Sequence, residues 1–198
     1  QTINHQYSKT SEFENDFRNY SKKYLALVNY FSFLRDFNEL EIARMFSGIE
    51  KYHKVFRSCN RGSKKNSWCG ECSKCLFSYL ILYPFLGEKT KEIFGRDLLN
   101  DESLSPLMEE FLQLSGKFKP FECVGTKKEI EYAMLLGILK KPKKLLEKYQ
   151  DKISVLILGM GREGQATRDF LKKNHIAFAT ADAMDGENYL DKINNFDV

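Results

Sequence analysis

Four of the chain's five cysteines fall in one short stretch, Cys59-x9-Cys69-x2-Cys72-x2-Cys75, written out as CNRGSKKNSWCGECSKC. No other feature constrains the fold as strongly. A tetrahedral zinc site needs four ligands converging on one point, each sulfur about 2.3 Å from the metal. A Cys-x2-Cys turn delivers two thiolates to one side, and the two turns here share Cys72. Gly70 lets the backbone fold tightly between the first pair, and the polar loop from Arg61 to Ser67 is long enough to bring Cys59 back to them. The competing readings are unconnected buried thiols and a redox Cys-x2-Cys pair. Thiols this dense argue against the first, and the lack of a surrounding βαβ pattern argues against the second. The expected ligands are therefore Cys59, Cys69, Cys72 and Cys75 around a zinc ion. With all four positions filled, such a site is structural.

Composition sets the remaining bounds. The 198 residues suffice for one full domain and part of another. A hydrophobic content of 42% and a charged content of 29% are those of an ordinary soluble protein. The net charge of +4 is small and spread along the chain, so no nucleic-acid partner is expected. Clustered thiols, the isolated Cys123 and the lack of a secretory leader point to a reducing, cytoplasmic setting. The apolar run Leu76–Gly87 is too short for a bilayer core of about 30 Å and reads as a buried helix, so no membrane insertion is expected. Gln1 at the start and a strand-like Asn195–Val198 at the end read as cut ends of a longer polypeptide.

Along the chain, residues 10–28 place Phe13, Phe17, Tyr20, Tyr24 and Leu25 at helical spacing, with Ser11 as the expected cap. Tyr30–Leu34 reads as a strand or an extended link. Glu39–Phe46 reads as a helix, and another runs from about Ser73 to Leu82 and stops at Pro84 and Gly87. Lys89–Phe94, Ser105–Leu114 and Lys127–Leu136 supply three more helices. The aromatic residues are assigned to the core of this helical unit. The basic run Lys140–Lys144 reads as a solvated linker or helix end.

Beyond it the pattern changes. Ile153–Leu158 is an apolar strand, Gly159-x-Gly161-x2-Gly164 a glycine turn, Gln165–Asn174 a helix, and Ile176–Thr180 a second strand ending near Asp182. The expected fold is α/β overall: a mainly helical, zinc-bearing unit over residues 1–145, then an incomplete Rossmann-like βαβ unit over 150–198. The glycine motif draws its meaning from standing between strand and helix. Gly159 makes the turn, Gly161 admits a phosphate close to the backbone, Gly164 lets the helix pack on the strand, and Asp182 can accept hydrogen bonds from a ribose or a base. A Rossmann-like sheet that binds no dinucleotide is the alternative. Arg162 and Glu163 within the turn leave room for a different nucleotide-containing ligand.

The segments NHQYSKTSEFE (4–14), ARMFS (43–47), VFRSCN (55–60), SWCGECSKCLF (67–77), EIFGRDLL (92–99) and KPFECVG (119–125) together resemble the MurL family. Those proteins are epimerases of UDP-N-acetylmuramoyl-L-alanyl-L-glutamate in peptidoglycan synthesis. The resemblance implies inversion of the terminal L-glutamate to D-glutamate, dependent on ATP and magnesium, through adenylation of the α-carboxylate. It also implies a fold related to the ATP pyrophosphatases, of which this chain would be the C-terminal part. Such enzymes need a glycine/serine phosphate loop, and none is present in the sequence. The loop is expected upstream, and this chain alone is expected to be inactive. The stretch VLILGMGREGQATRDFLKK with Asp182 resembles the start of a MurD-type ligase, whose first domain binds the UDP part of UDP-muramoyl substrates. By that likeness Gly159, Gly161 and Gly164 would face the diphosphate, and Asp182 the uracil.

Candidate catalytic groups are His5, Lys9, Glu12 and Arg57. The polar run Asn4, His5, Tyr7, Ser8, Lys9 and Glu12 suits an anionic substrate or proton transfer, or equally a capped helix start. Arg57 could grip a phosphate or carboxylate in two-pronged fashion, or pair with a neighbouring acid. Lys74 is expected to be exposed. The sequence does not single out the acid and base of an inversion. Two other readings stay open: a non-catalytic zinc-stabilised interaction module on a nucleotide-binding domain, and an NAD(P)-dependent oxidoreductase.

Overall fold

The computed structural model describes residues 7–25, 27–158 and 161–181. The chain falls into two compact units, residues 1–38 and 39–198.

The first unit is built on α1 (Ser11–Tyr24). Its cap is Thr10 rather than the expected Ser11: the Thr10 hydroxyl accepts from the Phe13 N–H at 3.1 Å. Ser11 is already helical, and its Oγ accepts from Arg35 Nη1. Glu14, buried in the first turn of α1, is gripped by Arg35 Nε at 2.8 Å and by Arg18 Nη2. The Arg35 hydrogen bond, aided by the two positive charges, holds the Glu14 carboxyl below its ordinary range. The aromatic stripe does not form a core as expected. Phe13, Phe17, Tyr20 and Tyr24 stack in series along the helix, with Tyr30 edge-on to Phe17 at 4.7 Å. Tyr20 and Tyr24 are more than half exposed. Tyr30–Leu34 forms no strand; it is irregular and runs into a turn, the extended link of the two readings.

The second unit is centred on α3 (Ser73–Leu86). Cys75–Tyr83 is buried throughout, so this helix is apolar on every side and must be surrounded. The helices α2 (Glu39–Ser47), α4 (Lys89–Phe94) and α6 (Lys127–Lys140) pack around it. Pro84 does not stop α3. It lies inside the last turn, and the helix ends at Gly87, which has φ 56° and donates its N–H to the Tyr83 carbonyl at 2.8 Å. α5 (Ser105–Phe111) ends earlier than expected, because Gln113 and Ser115 take left-handed backbone angles. α6 runs longer than expected from a capping box in which Thr126 and Glu129 each satisfy the other's backbone N–H.

The basic run closes α6 at Lys140 and is exposed there as expected, with one exception at Lys143. Lys143, with a side chain only 5% exposed, pairs with Asp97 at 2.8 Å and with Glu88 at 2.9 Å, above the Tyr83 ring. The short α7 (Lys144–Lys148) then buries Leu145 and Leu146. The Tyr149 hydroxyl donates to Glu109 Oε1 at 3.0 Å.

The chain next forms β1 (Ser154–Leu158), α8 (Arg162–Lys173) and β2 (Ala177–Ala181). The strands pair in parallel from Ser154↔Ala177 to Leu158↔Ala181, so α8 is the crossover of a βαβ unit. α8 begins three residues earlier than expected, which places Arg162 and Glu163 in its first turn. Among the described residues, no helix is long and apolar enough to cross a membrane.

Candidate metal centre

The cysteine loop folds as two tight backbone turns facing each other. In the first, Cys59 is followed by Gly62, whose N–H points back to Cys59 Sγ at 3.2 Å. In the second, Glu71 N–H points to Cys69 Sγ at 3.5 Å and Gly70 N–H to Cys75 Sγ at 3.4 Å. Cys72 caps the start of α3, so the buried helix carries Cys72 and Cys75 as a rigid pair.

The four sulfurs converge, each within 4.8 Å of all the others. Neighbouring separations are 3.9 Å for Cys59–Cys72, 3.7 Å for Cys69–Cys75 and 3.5 Å for Cys72–Cys75. Four sulfurs at about 2.3 Å from a central tetrahedral ion stand about 3.8 Å apart. The donor set and its spacing therefore fit a metal ion with all four positions taken by sulfur. Cys59, Cys72 and Cys75 are buried, and Cys69 is partly exposed. Cys123, exposed, lies outside the group.

The electrostatics divide the thiols. Burial raises the Cys59 thiol, but the N–H groups of Cys69 and Gly62 outweigh it and bring it down to about 7. Burial pushes the Cys72 and Cys75 thiols up. Two deeply buried thiols resist ionisation until a cation compensates them, which couples metal uptake to proton release.

Several supporting residues have no conspicuous sequence signal. A Cβ on Gly62 would stand 1.8 Å from the Ser67 carbonyl oxygen, so the loop closes only around a glycine. The spacing Cys59-x2-Gly62 is the one trace of this in the sequence. Gly70, at φ 74°, lies under the Arg96 side chain, which pairs with Asp101. Trp68 stacks between Phe56 (5.3 Å) and Phe94 (4.3 Å), and its buried indole N–H has no partner among the described residues. Ser73 donates to Glu122 Oε2 at 2.6 Å, holding the 117–125 loop beside the cluster. Lys74 is half-buried rather than exposed, with its ammonium on Asn60 Oδ1.

The other candidate residues fall in separate places. His5, Gly159 and Asp182 lie outside the described residues. Gly161 caps α8, and among the described residues a Cβ there would meet nothing within 4 Å; Gly164 lies in the helix itself. Lys9 and Glu12 belong to the first unit and Arg57 to the second. Arg57 makes no acidic pair among the described residues. Its Nε donates to the Asn66 carbonyl at 3.2 Å and its Nη1 to the Phe56 carbonyl at 2.6 Å.

Four convergent thiols at the head of a buried helix, followed by a parallel βαβ unit, define a mainly helical domain with a site able to hold a metal ion. The chain belongs to the family described as the MurL C-terminal domain, which matches residues 55–154. Proteins named UDP-N-acetyl-alpha-D-muramoyl-L-alanyl-L-glutamate epimerase are similar to it. The one from Micromonospora is 43% identical over 140 residues and that from Xanthomonas oryzae pv. oryzae 40% over 141. The one from Salinispora tropica is 43% identical over 142 residues. These matches cover 67–68% of this chain but 31% of each relative, so the chain spans about a third of the length of the curated relatives it matches. No solved structure matches it.

Proposed function

We propose that this chain is the C-terminal, metal-braced part of an epimerase that converts the terminal L-glutamate of UDP-MurNAc-L-Ala-L-Glu to D-glutamate in peptidoglycan precursor synthesis. The observation that carries this reading is the family match over residues 55–154, which contains all four cysteines of the converging cluster.

In this reading Cys59, Cys69, Cys72 and Cys75 hold zinc. The ion cross-links the 59–69 loop to the start of α3 and supplies structure rather than an open coordination position. Residues 1–145 serve as the epimerase part, resembling the C-terminal region of an ATP-pyrophosphatase-like domain. Residues 150–198 open a Rossmann-like UDP-binding domain of the MurD type. Gly159, Gly161 and Gly164 would face the diphosphate there, and Asp182 the uracil. The position of Gly161 at the N-cap of α8 and the parallel order of β1 and β2 support that assignment.

Inversion needs one group to remove the α-proton and another to return a proton on the opposite face. Activation of the α-carboxylate as an acyl adenylate, with ATP and magnesium, is the route the family resemblance implies, since it acidifies the α C–H. The sequence has no glycine/serine phosphate loop, so ATP does not fit the residues present and no step through it is assigned to them. For the same reason the isolated chain should not turn over. His5, Lys9, Glu12 and Arg57 remain the candidate substrate-handling groups, with Arg57 suited to holding an anion rather than moving a proton.

The test uses a natural polypeptide that includes these residues and the upstream phosphate loop. It is incubated with UDP-MurNAc-L-Ala-L-Glu, ATP and magnesium, and the chirality of the glutamate released on hydrolysis is determined. D-glutamate appearing only with ATP is the expected result. Glutamate that stays wholly L in folded, zinc-loaded protein would remove the epimerase reading.

A further inference from the structure

A cleft of about 380 Å³ opens in the second unit, away from the four thiols, between the 50–57 segment and α4. Glu50, His53, Lys54 and Arg57 line one wall, and Lys89, Glu92 and Ile93 the other. For so small a space the lining is heavily charged. Glu50 and Lys89 meet across it at 3.2 Å and tie the two walls together. That pair neutralises itself, leaving Lys54 and Arg57 on one wall with no carboxylate bound to either among the described residues.

Arg57 is built into its place. Its Nε and Nη1 are fixed on the Asn66 and Phe56 carbonyls, and among the described residues Nη2 has no partner. His53, another lining residue, is buried, packed on the Phe46 ring at 5.1 Å and bonded through Nε2 to the Phe46 carbonyl at 3.1 Å. An arginine positioned by two backbone carbonyls has already lost most of its rotamer freedom, so an incoming anion has less ordering to overcome. A guanidinium edge in a cleft that also carries an ammonium is suited to carboxylate or phosphate oxygens.

We propose that this cleft is an oxyanion site in which Arg57 and Lys54 bind one charged group of a ligand, a carboxylate or a phosphate. Its volume lies at the low end for small-molecule pockets, which suits a glutamyl or diphosphate group rather than a whole nucleotide-linked substrate. Identifying the anion with a group of the UDP-muramoyl dipeptide rests on the epimerase reading; the site itself does not. Glu92, on the opposite wall and without a partner among the described residues, opposes the anion and limits its affinity.

The test is a titration of the folded, zinc-loaded chain, followed by amide and Arg57 Nε NMR signals. One arm uses inorganic pyrophosphate and the other N-acetyl-L-alanyl-L-glutamate. Millimolar binding that shifts signals of residues 50–57 and 89–93 is expected with at least one probe. The probe that binds tighter assigns the source as diphosphate or dicarboxylate. Arg57→Gln should weaken binding roughly tenfold and Lys54→Gln roughly threefold, while Glu92→Gln tightens it roughly threefold. Lys54 makes no hydrogen bond among the described residues, so its variant keeps the test valid if Arg57→Gln disturbs the cysteine loop. Absence of shifts with either probe, or binding indifferent to Lys54→Gln and Glu92→Gln, overturns the proposal. The glutamate chirality assay decides the epimerase reading separately.

Discussion

Replacing Lys143 with methionine is the sharpest probe of how the helical core holds the segment that leads to β1. Its ammonium lies 2.8 Å from Asp97 and 2.9 Å from Glu88, with a side chain only 5% exposed. Asp97 is itself mostly buried and also accepts from the Tyr79 hydroxyl at 3.2 Å and from Asn100 Nδ2 at 2.8 Å. Burial raises the Asp97 carboxyl, but the Lys143 hydrogen bond and charge outweigh it and hold it below its ordinary range; burial lowers Lys143, but its bonds to Asp97 and Glu88 outweigh that and raise it. Methionine keeps an unbranched side chain of similar length but loses the ammonium over the Tyr83 ring, and leaves Asp97 buried without its cation. Breaking a buried pair from one side costs about 3–5 kcal/mol. Glu88 is half exposed and regains water, so the low end applies, about 3 kcal/mol, or roughly 6–12 °C in melting temperature.

The sign of the pH dependence follows from the two shifts. The lowered Asp97 contributes stability above its unfolded value of about 4, which is lost as pH falls through its folded value. The raised Lys143 contributes below about 10.4, and that is lost as pH rises through its folded value. The penalty of Lys143→Met is therefore largest between these limits and shrinks on acidification, once the stranded Asp97 takes up a proton. Urea unfolding at pH 7 of Lys143→Met, Asp97→Asn and the double variant would measure the coupling. A loss below 1 kcal/mol, or strictly additive losses, would refute the reasoning.

Three further outcomes are expected. Gly62→Ala places a methyl against the Ser67 carbonyl and removes the close approach that lets Gly62 N–H reach Cys59 Sγ, so zinc affinity should fall at least tenfold in a competition assay with a chelating dye. Cys72→Ser, or exhaustive chelation, should loosen the helical part, since metal binding of this kind contributes on the order of 10 kcal/mol. Hydrogen exchange should show α3 losing protection more than the 154–181 strand–helix–strand. Glu129→Ala removes the α6 capping box and the acceptor for the Glu39 N–H at the start of α2, and should cost about 1–2 kcal/mol in thermal unfolding.

What was legible in the sequence is what depends on near neighbours. The thiol cluster is written in seventeen residues, where the spacing and Gly70 point to convergence while the need for Gly62 shows only in three dimensions. The parallel βαβ unit was announced by an apolar run, a glycine turn and an amphipathic helix. The misreadings have non-local causes. Lys143 looked solvated because its partners Asp97 and Glu88 stand 46 and 55 residues away. Pro84 reads locally as a stop, but the last turn of the helix around it is held by the Gly87 cap. The stripe on α1 looked like core because helical spacing says which residues share a face, not what covers it. Arg57 reads in the sequence either as an anion binder or as the partner of a neighbouring acid, and the cleft around it takes its far wall from α4, more than thirty residues on.

The most direct test of the account is the metal content of the purified, folded chain, measured together with thiol titration before and after metal release. The account predicts one zinc per chain, four thiols protected while it is bound and reactive once it is removed, and no stoichiometric zinc in the Cys72→Ser variant. A folded chain that carries no metal, with all four thiols reactive from the start, would contradict it.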